Sequence, residues 1–238
     1  MKKYILSLTK LATTTLLLCS CSLIGFKKEL VEKIEKIIKP VVEKIESDKK
    51  EEELEFAQIK SIFNFIQKNG ELYKDYRRQF YSSLEYNKTR IKRLIEIFYK
   101  VITQKSYLTA FYPIIAKKPE LVTLIGSIID RGSIFVQNPL EIAILDINKR
   151  KDDLIDFNSK EKLKDIKNKI NKILGMQQQW IKNIDKIIIT YNDNKNLQDN
   201  IEELEAYLKT TYENTLKPDS DEIYDLMIEI GRELQENL

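Results

Sequence analysis

Cys19 and Cys21 are the only thiols in this 238-residue chain, and both lie in the stretch LLLCSCS near its start. Lys2 and Lys3 precede them, followed by a short apolar run ending at Leu18. A charged start and an apolar core too short to cross a bilayer read as an export signal. A thiol at the end of such a signal is suited to one reaction, acylation of the new N-terminal cysteine after cleavage. Cleavage needs a small side chain at the cut. Leu18 precedes Cys19, whereas Ser20 precedes Cys21. The expected lipidation site is therefore Cys21, with residues 1–20 removed as signal peptide and Cys19 lost with them. The competing reading is an uncleaved anchor with two idle thiols.

Little other chemistry is available. The chain has no His, which removes imidazole bases, Ser-His-Asp and Cys-His catalysis and the usual zinc sites. Its six glycines form no phosphate-cradling loop. Asn192 to Glu203 places oxygen ligands at calcium-loop offsets, but begins with Asn and puts Leu197 where that loop turns on Gly, so it reads as a polar helix connection. No metal, cofactor or catalytic residue is expected, and the chain is read as not an enzyme. The formal charge of +3 comes from the signal, because Lys2, Lys3 and Lys10 leave with it and the remainder balances 37 basic against 37 acidic residues. A neutral, exported chain is not expected to bind nucleic acid.

Beyond the signal the chain reads as helical. Lys, Glu, Ile and Leu dominate, and apolar residues recur at helical spacing. In residues 21–53, Leu30, Ile34, Ile37, Val41 and Ile45 share a face, Pro40 interrupts the run, and the charge run SDKKEEE closes it. This segment is read as a partly helical tether from the lipid; the alternative is that its apolar face docks on the domain or on a membrane. The domain is placed at 54–238. Its expected helices carry Phe56 to Ile66 with a stop at Gly70, then Glu71 to Leu84, then Asn87 to Thr103 with Ile91, Leu94, Ile95, Phe98, Val101 and Ile102 inward. Two short apolar stretches, 106–118 and 119–132, read as central. Pro139 is expected to open a helix carrying Ile142, Leu145 and Ile147 inward. Ser159 is expected to cap a long helix to about Tyr191, bent or closely packed at Gly175. Trp180 begins that helix's apolar stripe and reads as core or as an interface anchor. Pro218 is expected to separate two last helices. The fold class is therefore all-α, a compact bundle of about seven or eight helices around one long central helix, behind a lipidated tether.

One segment is unusual in charge. Between Lys74 and Arg93 the excess is +5, with Tyr73, Tyr76, Tyr81 and Tyr86 interspersed. Lys74, Arg77, Arg78, Arg90 and Arg93 are the candidate partner-binding residues, for an acidic protein face or a glycosaminoglycan. Two other readings stand beside this: an ordinary solvated face, or a surface covered by the last helix, whose residues 219–236 carry a net −6. That last helix has Ile223, Leu226, Met227, Ile230 and Leu234 on one side, expected to pack on its own bundle and leave a monomer.

The stretch FYSSLEYNKTRIKRLIEIF, Phe80 to Phe98, resembles the virulent-strain-associated outer-surface lipoproteins of Borrelia, the paralogues of complement regulator-acquiring surface protein 1. FNFIQ at Phe63 to Gln67, YNDN at Tyr191 to Asn194 and LKTTYENTLKP ending at Pro218 fit the same pattern. The resemblance implies an all-helical domain with one long central helix, a lipid anchor in the outer membrane, display at the cell surface, and a host or tick protein or glycan as partner, complement components among them. It carries over no binding residue, since Phe80, Leu84 and Ile91 have core spacing. The chain also runs on for residues 219–238 past LKP. The function expected is non-catalytic binding at the host or tick interface, as complement interference or adhesion. The alternatives are a structural envelope lipoprotein and an enzyme built on carboxylates alone.

Overall fold

The structure is a computed structural model that describes residues 2–104, 119–151, 153–154 and 159–235, with side chains described for 24–103 and from Glu120 onward within those ranges. The expected stretch 106–118 lies outside the described residues. The chain is all-α, with no strand among the described residues. The helices are α1 (Lys2–Asp48), α2 (Ala57–Phe65), α3 (Lys74–Ser83), α4 (Lys88–Gln104), α5 (Pro119–Asp130), α6 (Asn138–Lys149), α7 (Lys160–Asp193), α8 (Lys195–Asp199), α9 (Ile201–Thr211) and α10 (Lys217–Gln235).

At 34 residues, α7 is the long central helix, and α1, α4 and α10 pack along it. The Ser159 hydroxyl accepts a hydrogen bond from the Lys162 N–H at 3.2 Å, the expected cap. The apolar stripe is inward as read, with Trp180, Ile184 and Ile187 fully buried. Asn194 and Asn200 cap α8 and α9 in the same way, so the calcium-like stretch is a pair of capped turns with Leu197 buried between them.

The tether expectation is corrected. Helix α1 passes through Pro40 and lays Leu30, Val31, Ile34, Ile38 and Ile45 against α6 and α7, each at most 7 % exposed. Five aliphatic side chains at helical spacing gain more by docking than the charged run after them gains from solvation. Lys151 reaches Glu35 at 2.8 Å and adds a cross-link. The globular unit therefore starts near Leu30, not at residue 54. A short extended strap, residues 52–56, leads from the end of α1 into α2.

Pro139 opens α6 as read, at its second residue, whereas the Pro218 reading changes. α5 and α6 are joined through a π-helical segment, Arg131–Gln137, and α9 and α10 through a second, Tyr212–Leu216. Pro139 and Pro218 each lie two residues past one of these segments. A proline ring clashes with the carbonyl four residues back and donates no N–H. A widened turn just upstream relieves both problems, so Pro218 does not separate α9 from α10. In α6 the register also differs, with Leu140, Ala143, Ile144 and Ile147 inward and Ile142 62 % exposed.

Two glycines invite opposite predictions. α7 runs unbroken through Gly175, where an added Cβ meets nothing within 4 Å, so the expected close packing is absent. In the first π segment, a Cβ on Gly132 would lie 2.7 Å from Ser83 Oγ, 3.2 Å from Phe80 Cδ2 and 3.3 Å from Trp180 Cζ2. Gly132→Ala is expected to destabilise by about 1–3 kcal/mol through overpacking. Gly175→Ala is expected to stabilise by about 0.5–1 kcal/mol, by restricting the unfolded chain and filling open space. Thermal melts followed by circular dichroism test the pair, and shifts of the same sign would contradict this assignment of close contacts.

Candidate functional site

The YSSLEYNK stretch forms a tight corner between α3 and α4. Ser82 Oγ donates to the Asp48 carboxylate at 2.7 Å, pinning the end of α1, and Lys44 reaches the same carboxylate at 3.2 Å. Ser83 Oγ donates to the Phe80 carbonyl at 2.7 Å, facing Gly132. Glu85 and Tyr86 then take left-handed backbone angles, φ 60° and 52°, a costly conformation for residues with a Cβ. The neighbourhood holds them there. The Tyr86 ring packs edge-on to Tyr81 at 5.7 Å, and Asn87 Oδ1 caps α4 by accepting from the Arg90 N–H at 3.0 Å.

The candidate binding residues do not form one open basic face. Arg77 is 5 % exposed and is paired with Glu53 of the strap; it also donates to the Gly70 carbonyl at 2.9 Å. Arg78 forks onto Glu141 of α6 at 2.8 and 2.9 Å. Arg90 forks onto Asp185 of α7 at 2.7 and 3.0 Å and donates to the Leu84 carbonyl at 3.0 Å. Lys74 is exposed, and Arg93 is exposed with Glu96 at 3.2 Å. The expectation of exposed arginines is therefore corrected for Arg77, Arg78 and Arg90. These planar forks join elements far apart in sequence and are committed to holding the bundle.

The last helix does not cover this segment. On α10, Asp221 pairs with Arg131, Glu222 with Lys172 at 2.6 Å, and Glu229 and Glu233 converge on Lys169. Burial lowers the Lys169 ammonium's affinity for its proton, but the hydrogen bonds it donates to Asp165, Glu233 and Glu229 outweigh this, so its pKa is raised. Asp219 accepts from Asn183 at 2.7 Å; burial, the larger effect, still raises its carboxyl above the ordinary range. Ile223, Met227, Ile230 and Leu234 are buried inside the bundle, as read.

The strap supplies Glu53 to Arg77, while Glu141 of α6 and Asp185 of α7 meet Arg78 and Arg90. Clefts flank the strap on both sides. One, about 900 Å³, is bounded by Leu54, Phe56 and the α4 lysines Lys88 and Lys92. The other, about 360 Å³, lies between the strap and α3, with Tyr81 and Tyr86 in its wall. Among the described residues no cluster of three or more metal-binding side chains occurs. The arrangement offers aromatic wall, carboxylates and ammonium groups at the mouth of a cleft, the equipment for binding. Sequence reasoning missed Asp48, Glu53, Glu141 and Asp185; only the acidic composition of SDKKEEE signalled any of them.

A sequence profile of the family described as Borrelia Bbcrasp-1 domain containing protein matches residues 60–232, from within α2 into α10. The chain belongs to this family. The outer-surface lipoprotein BBA64 of Borrelia burgdorferi is similar over 89 % of this chain and 96 % of its own, at 20 % identity and a TM-score of 0.68. Its orthologue BSA64 from Borrelia spielmanii covers 90 % of this chain and 97 % of its own, at 23 % identity and 0.69. The Borrelia burgdorferi outer surface protein BBA66 covers 86 % and 99 %, at 18 % identity and 0.69. No curated protein matches the chain. At these identities the solved structures establish the shared helical fold.

Proposed function

We propose that the chain is a lipid-anchored outer-surface protein that binds a host or tick macromolecule, in complement interference or adhesion, without catalysis. The family match from residue 60 to 232 carries this reading, together with the names of the similar proteins, which are outer-surface proteins and lipoproteins of Borrelia. The signal ending at Ser20 and Cys21 supports the anchor. Burial of Ile223, Met227, Ile230 and Leu234 supports a monomer, with Tyr224 and Ile228 the large apolar residues left exposed on that helix. The experiment is capture from serum and from tick extract on the full-length chain held in detergent, alongside protease shaving of intact cells. A specifically retained macromolecule and loss of the protein on shaving are expected. Protection from shaving with nothing captured would favour the envelope-structural alternative.

The anchor has its own test. Cys21→Ala is expected to abolish fatty-acid incorporation, whereas Cys19→Ala is expected to be labelled normally. Metabolic labelling with a radioactive fatty acid decides it, and label retained in the Cys21 variant would move the acylation site.

A further inference from the structure

The geometry points to the cleft between the strap and α3 as a subsite for one neutral sugar unit of a glycan chain. This rests on the binding reading above and names the ligand class for it. Tyr81 and Tyr86 stand edge-to-face in the wall, with Leu72, 86 % exposed, at the lip and Glu51, Glu71 and Lys74 around the mouth. The volume, about 360 Å³, lies in the range of small-molecule sites.

Two observations select the ligand. The first is the Tyr81 hydroxyl. The residue is 1 % exposed and its hydroxyl has no hydrogen-bond partner among the described residues. A buried hydroxyl without a partner is unfavourable, and a group arriving with a donor or acceptor relieves it. Tyr81 keeps its proton, because burial and the Glu53 carboxylate raise its pKa. Glu53 of the strap, which belongs to no helix, lines the cleft beside Tyr81, and access to the hydroxyl requires an outward shift of the strap there against the Glu53–Arg77 pair.

The second is charge. Among the lining cations, Lys49 is paired with Glu46 at 3.6 Å and Arg78 with Glu141. Among the acids, Glu53 is paired with Arg77 and Asp75 with Arg78 at 3.4 Å. Glu51, Glu71 and Lys74 remain exposed, with no ion pair to a described residue. Two carboxylates and one ammonium attract neither a polyanion nor a polycation strongly. A sulfated glycan, the ligand expected of an open basic face, would meet four carboxylates here, those of Glu51, Glu53, Glu71 and Asp75. A neutral sugar ring fits instead. Its hydroxyls both donate and accept, matching carboxylates, ammonium and phenol, and its C–H face packs on an aromatic wall.

The test uses the full-length chain in detergent on an array of neutral oligosaccharides ending in mannose, galactose or N-acetylglucosamine, with sulfated and sialylated glycans beside them. At least one neutral glycan is expected to bind, with affinity unchanged between low and high salt. Tyr81→Phe, which keeps the ring and removes the hydroxyl, is expected to weaken that binding at least about tenfold with the melting temperature unchanged or raised. Glu71→Gln with Lys74→Gln is expected to weaken it without unfolding the chain. Binding of sulfated glycans alone, or of a lysine-rich peptide alone, with strong salt dependence would overturn the assignment. So would a lowered melting temperature in Tyr81→Phe with glycan binding intact, which would make the hydroxyl a structural group. A serum or tick partner still captured after periodate treatment of its glycans would leave the binding reading standing and the sugar subsite refuted.

Discussion

A chain beginning at Leu54 is expected to lose cooperative folding, although it retains every element from α2 to α10. Its α6 and α7 would expose the surface now covered by Leu30, Val31, Ile34, Ile38 and Ile45. Burying one such side chain contributes about 1.5–3 kcal/mol. Five of them equal a large part of the roughly 5–15 kcal/mol by which a typical domain is stable. The truncation also removes Asp48 from Ser82, and with it the clamp on the corner before α4. The comparison is with a chain beginning at Lys27. Size-exclusion chromatography, dye binding to exposed apolar surface and thermal melts are the readouts. Aggregation or a broad melt is expected for the shorter chain alone. Equal melting temperatures would mean that α1 contributes nothing and hangs free.

The second large effect is expected at Glu141. Its carboxylate, 7 % exposed, holds both guanidinium nitrogens of Arg78 and accepts from Gln137 Nε2 at 3.0 Å. Glu141→Ala leaves the Arg78 guanidinium in a mostly buried position with only the exposed Asp75 at 3.4 Å. Stranding one member of a buried pair costs about 3–5 kcal/mol. Replacing both, with Arg78→Met and Glu141→Leu, removes charge and partner together and is expected to recover most of that loss. Urea denaturation of Glu141→Ala and of the double variant decides it. A double variant no more stable than Glu141→Ala would show that the pair is not the source of the loss. Arg93→Ser serves as control, since its partner Glu96 lies at the surface and the change is expected to cost about 0–1 kcal/mol.

Residue order made legible whatever acts locally. The α4 stripe from Ile91 to Ile102, the Ser159 cap, the Trp180 face and the buried side of α10 depend on spacing within a turn or two, and all lie where that spacing puts them. The arginines differ because their environment is set at long range. Glu141 is 63 residues from Arg78, and Asp185 is 95 from Arg90. Nothing local distinguishes an arginine that forks onto a distant acid from one that faces water. The docking of α1 was hidden for a related reason: SDKKEEE carries the solvation signal of a linker, yet the face that decides packing ends just before it, at Ile45. The π segments have no signature of their own beyond the proline downstream of each. The cleft depends on the strap crossing α3, which composition hints at only through opposite charges.

Helix α1 also acts as a ruler. Its first buried residue is Leu30 and it ends at Asp48, eighteen residues on, or about 27 Å at 1.5 Å per residue. With Cys21 in the lipid as proposed, only residues 22–29 separate the acyl chains from the first buried residue of the helix. The bundle then rides close above the headgroups, with little freedom to swing. The strap, the tyrosine pair and the cleft sit at the opposite end of that ruler. With the anchor as proposed, a rigid spacer inside the fold would set the height of that end, and lengthening residues 22–29 would change how far the molecule roams without changing which end leads.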